Sequence, residues 1–253
     1  MHYLKPGLVL LAGLCLVSCK EKTSLAVSHI KAKQIAVAAD IEEDPKITAF
    51  IQPYKEHIDK EMNSVLSFTP KTLSKNDGQL NTAIGNMEAD AVLEMANPIF
   101  QKREQKSIDA VLLNHGGIRS IISKGNITTK TAFNIMPFEN ELVIVGIKGK
   151  HLHAMFEYLA QNQTAHPLAG MQLILDKNGS IKSKKIQGKN LEDDRLYYIA
   201  TNDYLMEGGD RMDFFKKKET ATYIDYKLRN LFLDYFKKHD TINPLRDQRF
   251  IQE

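Results

Sequence analysis

The amino-acid sequence predicts an α+β fold, a single domain with a mixed β-sheet and packed helices. Three observations carry this. Segments with 3.6-residue apolar spacing mix with short strand-like runs, without the regular alternation of a βαβ chain. Asp176-Lys177-Asn178-Gly179, between Met171–Leu175 and Ile181–Ile186, has the turn chemistry of a hairpin, which joins antiparallel neighbours. A hydrophobic content of 43% is ordinary for a chain that builds its own core.

The first residues are read apart from that domain. Lys5 precedes an apolar run, Leu8 to Val17, of about ten residues, short of the ~20 that a membrane-spanning helix needs. This is the pattern of a secretory signal. Leu16-Val17-Ser18-Cys19 resembles a bacterial lipobox, with Cys19 as the lipidated residue. A signal cut elsewhere nearby and a retained anchor are the other possibilities. The expected layout is a lipoprotein signal peptide over 1–18, a tether over 19–44 and the folded domain over 45–253. Such a protein sits in the bacterial cell envelope, lipid-anchored at the periplasmic face or outer-membrane surface. Cys15 and Cys19 are the two cysteines of the chain. With one lost and one lipidated, a disulfide-stapled domain, a cysteine-ligated metal and a cysteine nucleophile are excluded. Lys and Arg number 34 against 31 acids; so even a balance points to no nucleic-acid polymer as partner.

Along the tether, Ile30–Ala38 has the residues of one strand. A helix is expected from near Pro45, with Ile47, Phe50, Ile51, Tyr54, Ile58, Met62 and Val65 on one face, Glu42–Asp44 at its positive end and a bend at Pro53. A second fits Thr82 to Gln101, with Ile84, Met87, Ala91, Val92 and Met95 inward. Ile108–Leu113 is a short buried strand that ends at Asn114-His115-Gly116-Gly117-Ile118-Arg119. After a break at Pro137, Glu141–Lys148 alternates as a strand, and Gly149 opens a helix through Ala160. The hairpin follows, then strand Leu196–Thr201, which runs into Asn202–Asp210. A final amphipathic helix covers Ala221–Lys238, and the tail after Pro244 is polar.

Three loops marked by glycine or proline are expected to follow strands: Asn114–Arg119, Met136–Asn140 and Tyr204–Asp210. Their side chains suit a nucleotide. Aromatic rings stack on a base, arginine forks onto phosphate oxygens, and a carboxylate accepts from ribose hydroxyls. Composition alone also fits tight turns carrying core aromatics.

The motifs in order narrow the choice. Ile84-Gly85-Asn86-Met87-Glu88-Ala89-Asp90-Ala91, Asn114–Arg119, Met136-Pro137-Phe138-Glu139-Asn140 and Asn202-Asp203-Tyr204-Leu205-Met206-Glu207-Gly208-Gly209-Asp210 together resemble the C-terminal domain of the 5'-nucleotidase and UDP-sugar hydrolase family, from about Ile47 to Phe236. The resemblance implies a domain that binds a nucleotide or nucleoside, with the base between Phe138 and Tyr204. It also implies Asn140 on the base, Asp210 on the ribose, and Asn114 and Arg119 toward the ribose-phosphate end. Gly116 and Gly117 form the close turn of that set, and Gly170 resembles a glycine whose backbone lines the base pocket.

The chain departs from the family pattern in three places. The second ring is Tyr where Phe is usual. Gly78-Gln79-Leu80-Asn81-Thr82 lacks an arginine often found before the second helix. Arg211 stands where glycine is expected after Gly-Gly-Asp, either replacing the lost charge or facing water. The larger difference concerns catalysis. In the full-length family a separate metallophosphoesterase domain holds two metals through Asp-x-His, Gly-Asp and Gly-Asn-His-Asp/Glu motifs, and this sequence carries none of them. His151 and His153, two apart on a helix, point roughly 200° from each other and do not share an ion. No catalytic residue, metal site or cofactor is therefore expected in this chain, and a divalent metal pair is expected on a partner. Three readings fit: the recognition half of a split 5'-nucleotidase acting in nucleotide catabolism, with a separate metallophosphoesterase protein; a non-catalytic nucleotide- or nucleoside-binding lipoprotein; or a retained fold with a decayed site.

Overall fold

A computed structural model describes residues 26–38 and 41–253. The expected signal peptide and Cys19 lie outside the described residues. The chain divides into two units, 1–50 and 51–253.

In the first unit, residues 26–38 carry no strand, which corrects the expectation for Ile30–Ala38. Ile30, Ile35 and Val37 are largely exposed, and β-branched residues favour a strand only where a ladder and a packed face exist to receive them. Helix α1 spans Pro45–Met62. Proline suits the first helical position, and Asp44 Oδ1 accepts from the Lys46 N–H at 2.8 Å. The helix continues through Pro53, and none of its residues is buried. Its apolar stripe is thus an exposed face, and Val65 belongs to the strand that follows.

The second unit holds three sheets. A five-stranded sheet has the order β5-β2-β8-β4-β9, from β2 (Ala110–Leu112), β4 (Glu141–Lys148), β5 (Leu168–Ala169), β8 (Leu196–Asn202) and β9 (Thr220–Lys227). β2 runs parallel to β8 and the other pairs are antiparallel; the sheet is mixed, as the sequence predicts. A three-stranded sheet, order β10-β6-β7, contains β6 (Met171–Leu175), β7 (Ile181–Ile186) and β10 (Phe250–Gln252). β1 (Val65–Thr69) pairs with β3 (Gly125–Thr128).

Strand β4 alternates but is buried on both faces. Leu142 and Ile144 enter one core cluster, with Val92, Phe100 and Phe232. Val143, Val145 and Ile147 enter the other, with Leu152, Phe156 and Phe215. Helices α2 (Ala83–Glu104) and α6 (Leu228–Lys238) supply residues to the first cluster, and α4 (Gly149–Asn162) to the second. Short helices α3 (Thr129–Ile135) and α5 (Asp203–Met206) lead into and out of the sheet's loops.

Two expectations at the C-terminal end are corrected. The last helix begins at Leu228, and Thr220–Lys227 is strand β9, with Val143 opposite Tyr223 and Gly146 opposite Thr220. Thr220, Thr222, Tyr223, Ile224 and Tyr226 are β-formers whose pairing outweighs the helical spacing. The tail after Pro244 is not merely polar: Phe250 is fully buried, opposite Leu173 in a parallel pair.

Candidate functional site

Three neighbouring strands bring the three loops to one end of the large sheet. β2 and β8 are parallel, so both leave at that end, β2 toward Asn114 and β8 toward Tyr204. β4 is antiparallel to β8, with Leu142 opposite Asn202, so the chain enters β4 there from Phe138 and Asn140. A cavity of about 370 Å³ results. Asn114, Gly116, Gly117, Arg119, Phe138, Asn140, Tyr204 and Asp210 line it. Phe138 is 40% and Tyr204 48% exposed, and large rings half open to solvent beside a hollow are not core residues.

Asp210 is the most constrained member. Its Oδ2 accepts from Asn114 Nδ2 at 2.7 Å and its Oδ1 from Tyr204 Oη at 2.8 Å. Its N–H donates to Tyr204 Oη at 3.2 Å, and its carbonyl accepts from Tyr158 Oη at 2.9 Å. Asp210 and Arg211 both have left-handed backbone, with φ of 52° and 63°. Non-glycine residues hold that conformation only when their surroundings dictate it, and four hydrogen bonds do so for Asp210. The preceding glycine is required: a Cβ on Gly209 would lie 2.5 Å from the Tyr204 ring and 2.6 Å from the Tyr204 carbonyl oxygen.

Around this anchor, Arg119 places its guanidinium carbon 5.7 Å from the Phe138 ring centroid and donates to the Gly116 carbonyl at 3.1 Å. His166 supports the Gly-Gly turn from behind. Its Nδ1 accepts from the His115 N–H at 3.2 Å. Burial, with a smaller contribution from His115, lowers the His166 pKa to about 4, so the ring is neutral and able to accept at neutral pH.

Gly170 is the one predicted site residue that lies elsewhere. It lines a second hollow with Asp90, Gln187 and Arg249. Its φ is 69°, and an added Cβ would strike the Asp109 carbonyl. The glycine serves the tight turn between β5 and β6. The Ile84–Ala91 motif is likewise structural. Asn86 donates to the Leu245 carbonyl at 2.9 Å, and Asp90 pairs with Arg249 at 2.8 Å, tying α2 to the tail. Gly78–Asn81, where the family's arginine is missing, line a third hollow with Arg246 and the C-terminal residues. Arg211 is exposed. His153 pairs with Asp193 at 2.9 Å, away from His151, and among the described residues no cluster could hold a metal ion.

Residues of three loops thus line one cavity at one end of a mixed sheet. The comparisons give the chain's family. The profile described as 5'-nucleotidase, C-terminal domain, matches residues 63–217, more than half of the chain. The chain belongs to the 5'-nucleotidase C-terminal domain family. The trifunctional nucleotide phosphoesterase YfkN of Bacillus subtilis is 26% identical over 245 residues, 88% of this chain and 16% of that protein. The cell wall protein Lmo0130 of Listeria monocytogenes is 29% identical over 214 residues, 76% of this chain and 26% of its own. The crystal structure of a 5'-nucleotidase precursor from Thermus thermophilus superposes with a TM-score of 0.67 at 22% identity, over 81% of this chain and 42% of that one. The chain thus spans less than half the length of each.

Proposed function

We propose that this chain is the nucleotide-recognition part of an extracytoplasmic 5'-nucleotidase system, its base-binding slot formed by Phe138 and Tyr204. One observation carries the reading: two half-exposed rings from separate loops line one cavity with Asp210, Asn114 and Arg119. A flat base needs a gap of about 7 Å between rings, twice the ~3.5 Å contact distance of stacked atoms. Asp210 has oxygens on the cavity side for ribose hydroxyls, and Arg119 supplies a cation for phosphate. Asn140 offers both a donor and an acceptor to a base edge. Hydrolysis belongs to a separate metallophosphoesterase chain, which would supply the divalent metal pair that phosphoester cleavage requires. Kinship with a cell wall protein and the lipobox at Cys19 support attachment to the cell envelope.

Calorimetric titration of the purified chain with nucleosides and their 5'-monophosphates tests this. Phe138→Ala and Tyr204→Ala each weaken nucleoside binding by about 1–3 kcal/mol, and Arg119→Ala weakens nucleotides more than nucleosides. Purified alone with Mg²⁺, Mn²⁺ or Zn²⁺, the chain releases no phosphate. Unchanged affinity in both ring variants removes the stacking slot, and turnover abolished by a point change in this chain removes the split arrangement.

A further inference from the structure

We propose that Arg229 is the positioning residue for Phe138, locking the loop 137–140 so that the ring stays presented to the cavity. The inference rests on the reading that Phe138 stacks a base, and it identifies what holds that ring in place.

Pro137, Phe138 and Glu139 are all exposed, on a stretch without helix or strand. The Arg119 guanidinium carbon lies 5.7 Å from the ring centroid, but nothing local holds the backbone that carries the phenylalanine. The restraint comes from residues 227–229, the corner where β9 becomes α6. Arg229 Nη1 donates to the Pro137 carbonyl at 3.1 Å and to the Phe138 carbonyl at 3.3 Å. Its Nη2 pairs with the Glu139 carboxylate, which Lys227 also engages. The Leu228 N–H donates to the Asn140 carbonyl at 3.0 Å. All four residues of the loop are therefore held by three consecutive residues.

Arg229 itself is 8% exposed, with its guanidinium carbon 4.4 Å from the Phe133 ring centroid. Its Nε is buried without a partner. A side chain placed only to satisfy itself would not leave a donor unpaired; the planar fork is spent on the loop. The location is also electrostatically adverse. Lys227 caps α6 and Arg229 lies in its first turn, where the helix dipole disfavours cations. The Glu139 carboxylate offsets this, and Lys227 and Arg229 in turn hold its pKa down to about 2.

The chain has no tryptophan, so Phe138→Trp makes a single fluorescent reporter on the loop. In that background, without ligand, Arg229→Met is expected to raise acrylamide quenching at least threefold and to lower anisotropy. Arg229→Lys keeps the charge but not the fork and falls between. With Phe138 intact, Arg229→Met and Arg229→Lys weaken adenosine binding at least tenfold and several-fold. A merely structural role lowers the melting temperature while leaving quenching and affinity of the folded protein at parental values, and that result overturns the proposal. Should Arg229→Met fail to fold, Glu139→Gln and Lys227→Met carry the test on exposed side chains; unchanged quenching and affinity in both overturns it. If the parent binds none of adenosine, guanosine, cytidine or uridine, the nucleotide reading fails, while the quenching series still decides the clamp.

Discussion

Tyr204 and Asp210 are joined twice: the phenol oxygen donates to Oδ1 at 2.8 Å and accepts the Asp210 N–H at 3.2 Å. A phenylalanine, usual at the first of these positions in the family resembled, has no oxygen for either bond. The tyrosine therefore adds a brace between the ring and the carboxylate. Tyr204→Phe keeps the stacking face and removes the brace. Nucleoside affinity is expected to fall by about 0.5–1.5 kcal/mol, the usual net value of a hydrogen bond, clearly less than for Tyr204→Ala. Equal losses in calorimetry would mean that the ring face contributes nothing.

Arg211 occupies left-handed backbone, at φ 63°, where the family pattern carries glycine. Holding a non-glycine residue there costs roughly 1–3 kcal/mol, and glycine returns part of this through the entropy of the unfolded chain. Arg211→Gly is expected to stabilise the domain by up to about 1 kcal/mol in urea unfolding. If nucleotide affinity falls at the same time, Arg211 supplies the charge missing from Gly78–Thr82; if it holds, the side chain only faces water.

Glu88 is 1% exposed, with one carboxylate oxygen unpaired. Burial raises its pKa from 4.5 to about 8, against a smaller opposing effect of Lys75. The folded state thus keeps a proton that the unfolded state loses. Its contribution is complete below pH 4.5 and is lost as pH rises toward 8, at no more than about 1.4 kcal/mol per unit. Glu88→Gln should be close to neutral at pH 4.5 and increasingly stabilising up to pH 8. A flat difference in melting temperature across that range would contradict it.

The parts of this domain legible in the sequence are those where local pattern and tertiary role agree. Strand β4, the hairpin and the inward face of α4 follow from periodicity and turn chemistry alone, and each has its long-range partners on the same residues. Agreement fails where packing decides. Thr220–Lys227 has spacing that suits a helix, but β4 offers an open edge and the segment becomes a strand. The helix at Pro45 forms as predicted, yet its apolar stripe is exposed, because spacing reports a face and not what covers it. For the site, the family motifs name eight residues that line one cavity, while Gly170, which lies outside those motifs, lines a separate hollow; a glycine's role resides in its backbone, which residue pattern does not report. Arg229 is not legible in the sequence, where the spacing runs the last helix from Ala221 and puts Lys227 and Arg229 in its middle; the structure starts α6 at Leu228 and so brings both cations to a helix start, a local conflict of the kind that marks a functional constraint.

The pairing of Leu142 with Asn202 fixes more than a sheet. Phe138 lies four residues before one partner and Tyr204 two residues after the other, so on the stacking proposed above the two rings are jaws on a calliper whose beam is backbone hydrogen bonding. A side chain exchanged at either jaw alters what is gripped, while the opening is graduated in strand register. With successive residues about 3.4 Å apart, the smallest slip that keeps the same faces inward is two residues, or about 7 Å, the thickness of a whole slot. Such an instrument has no fine adjustment along the strands. On that proposed reading, different bases are told apart at its edges, by residues such as Asn140, and not by how far it opens.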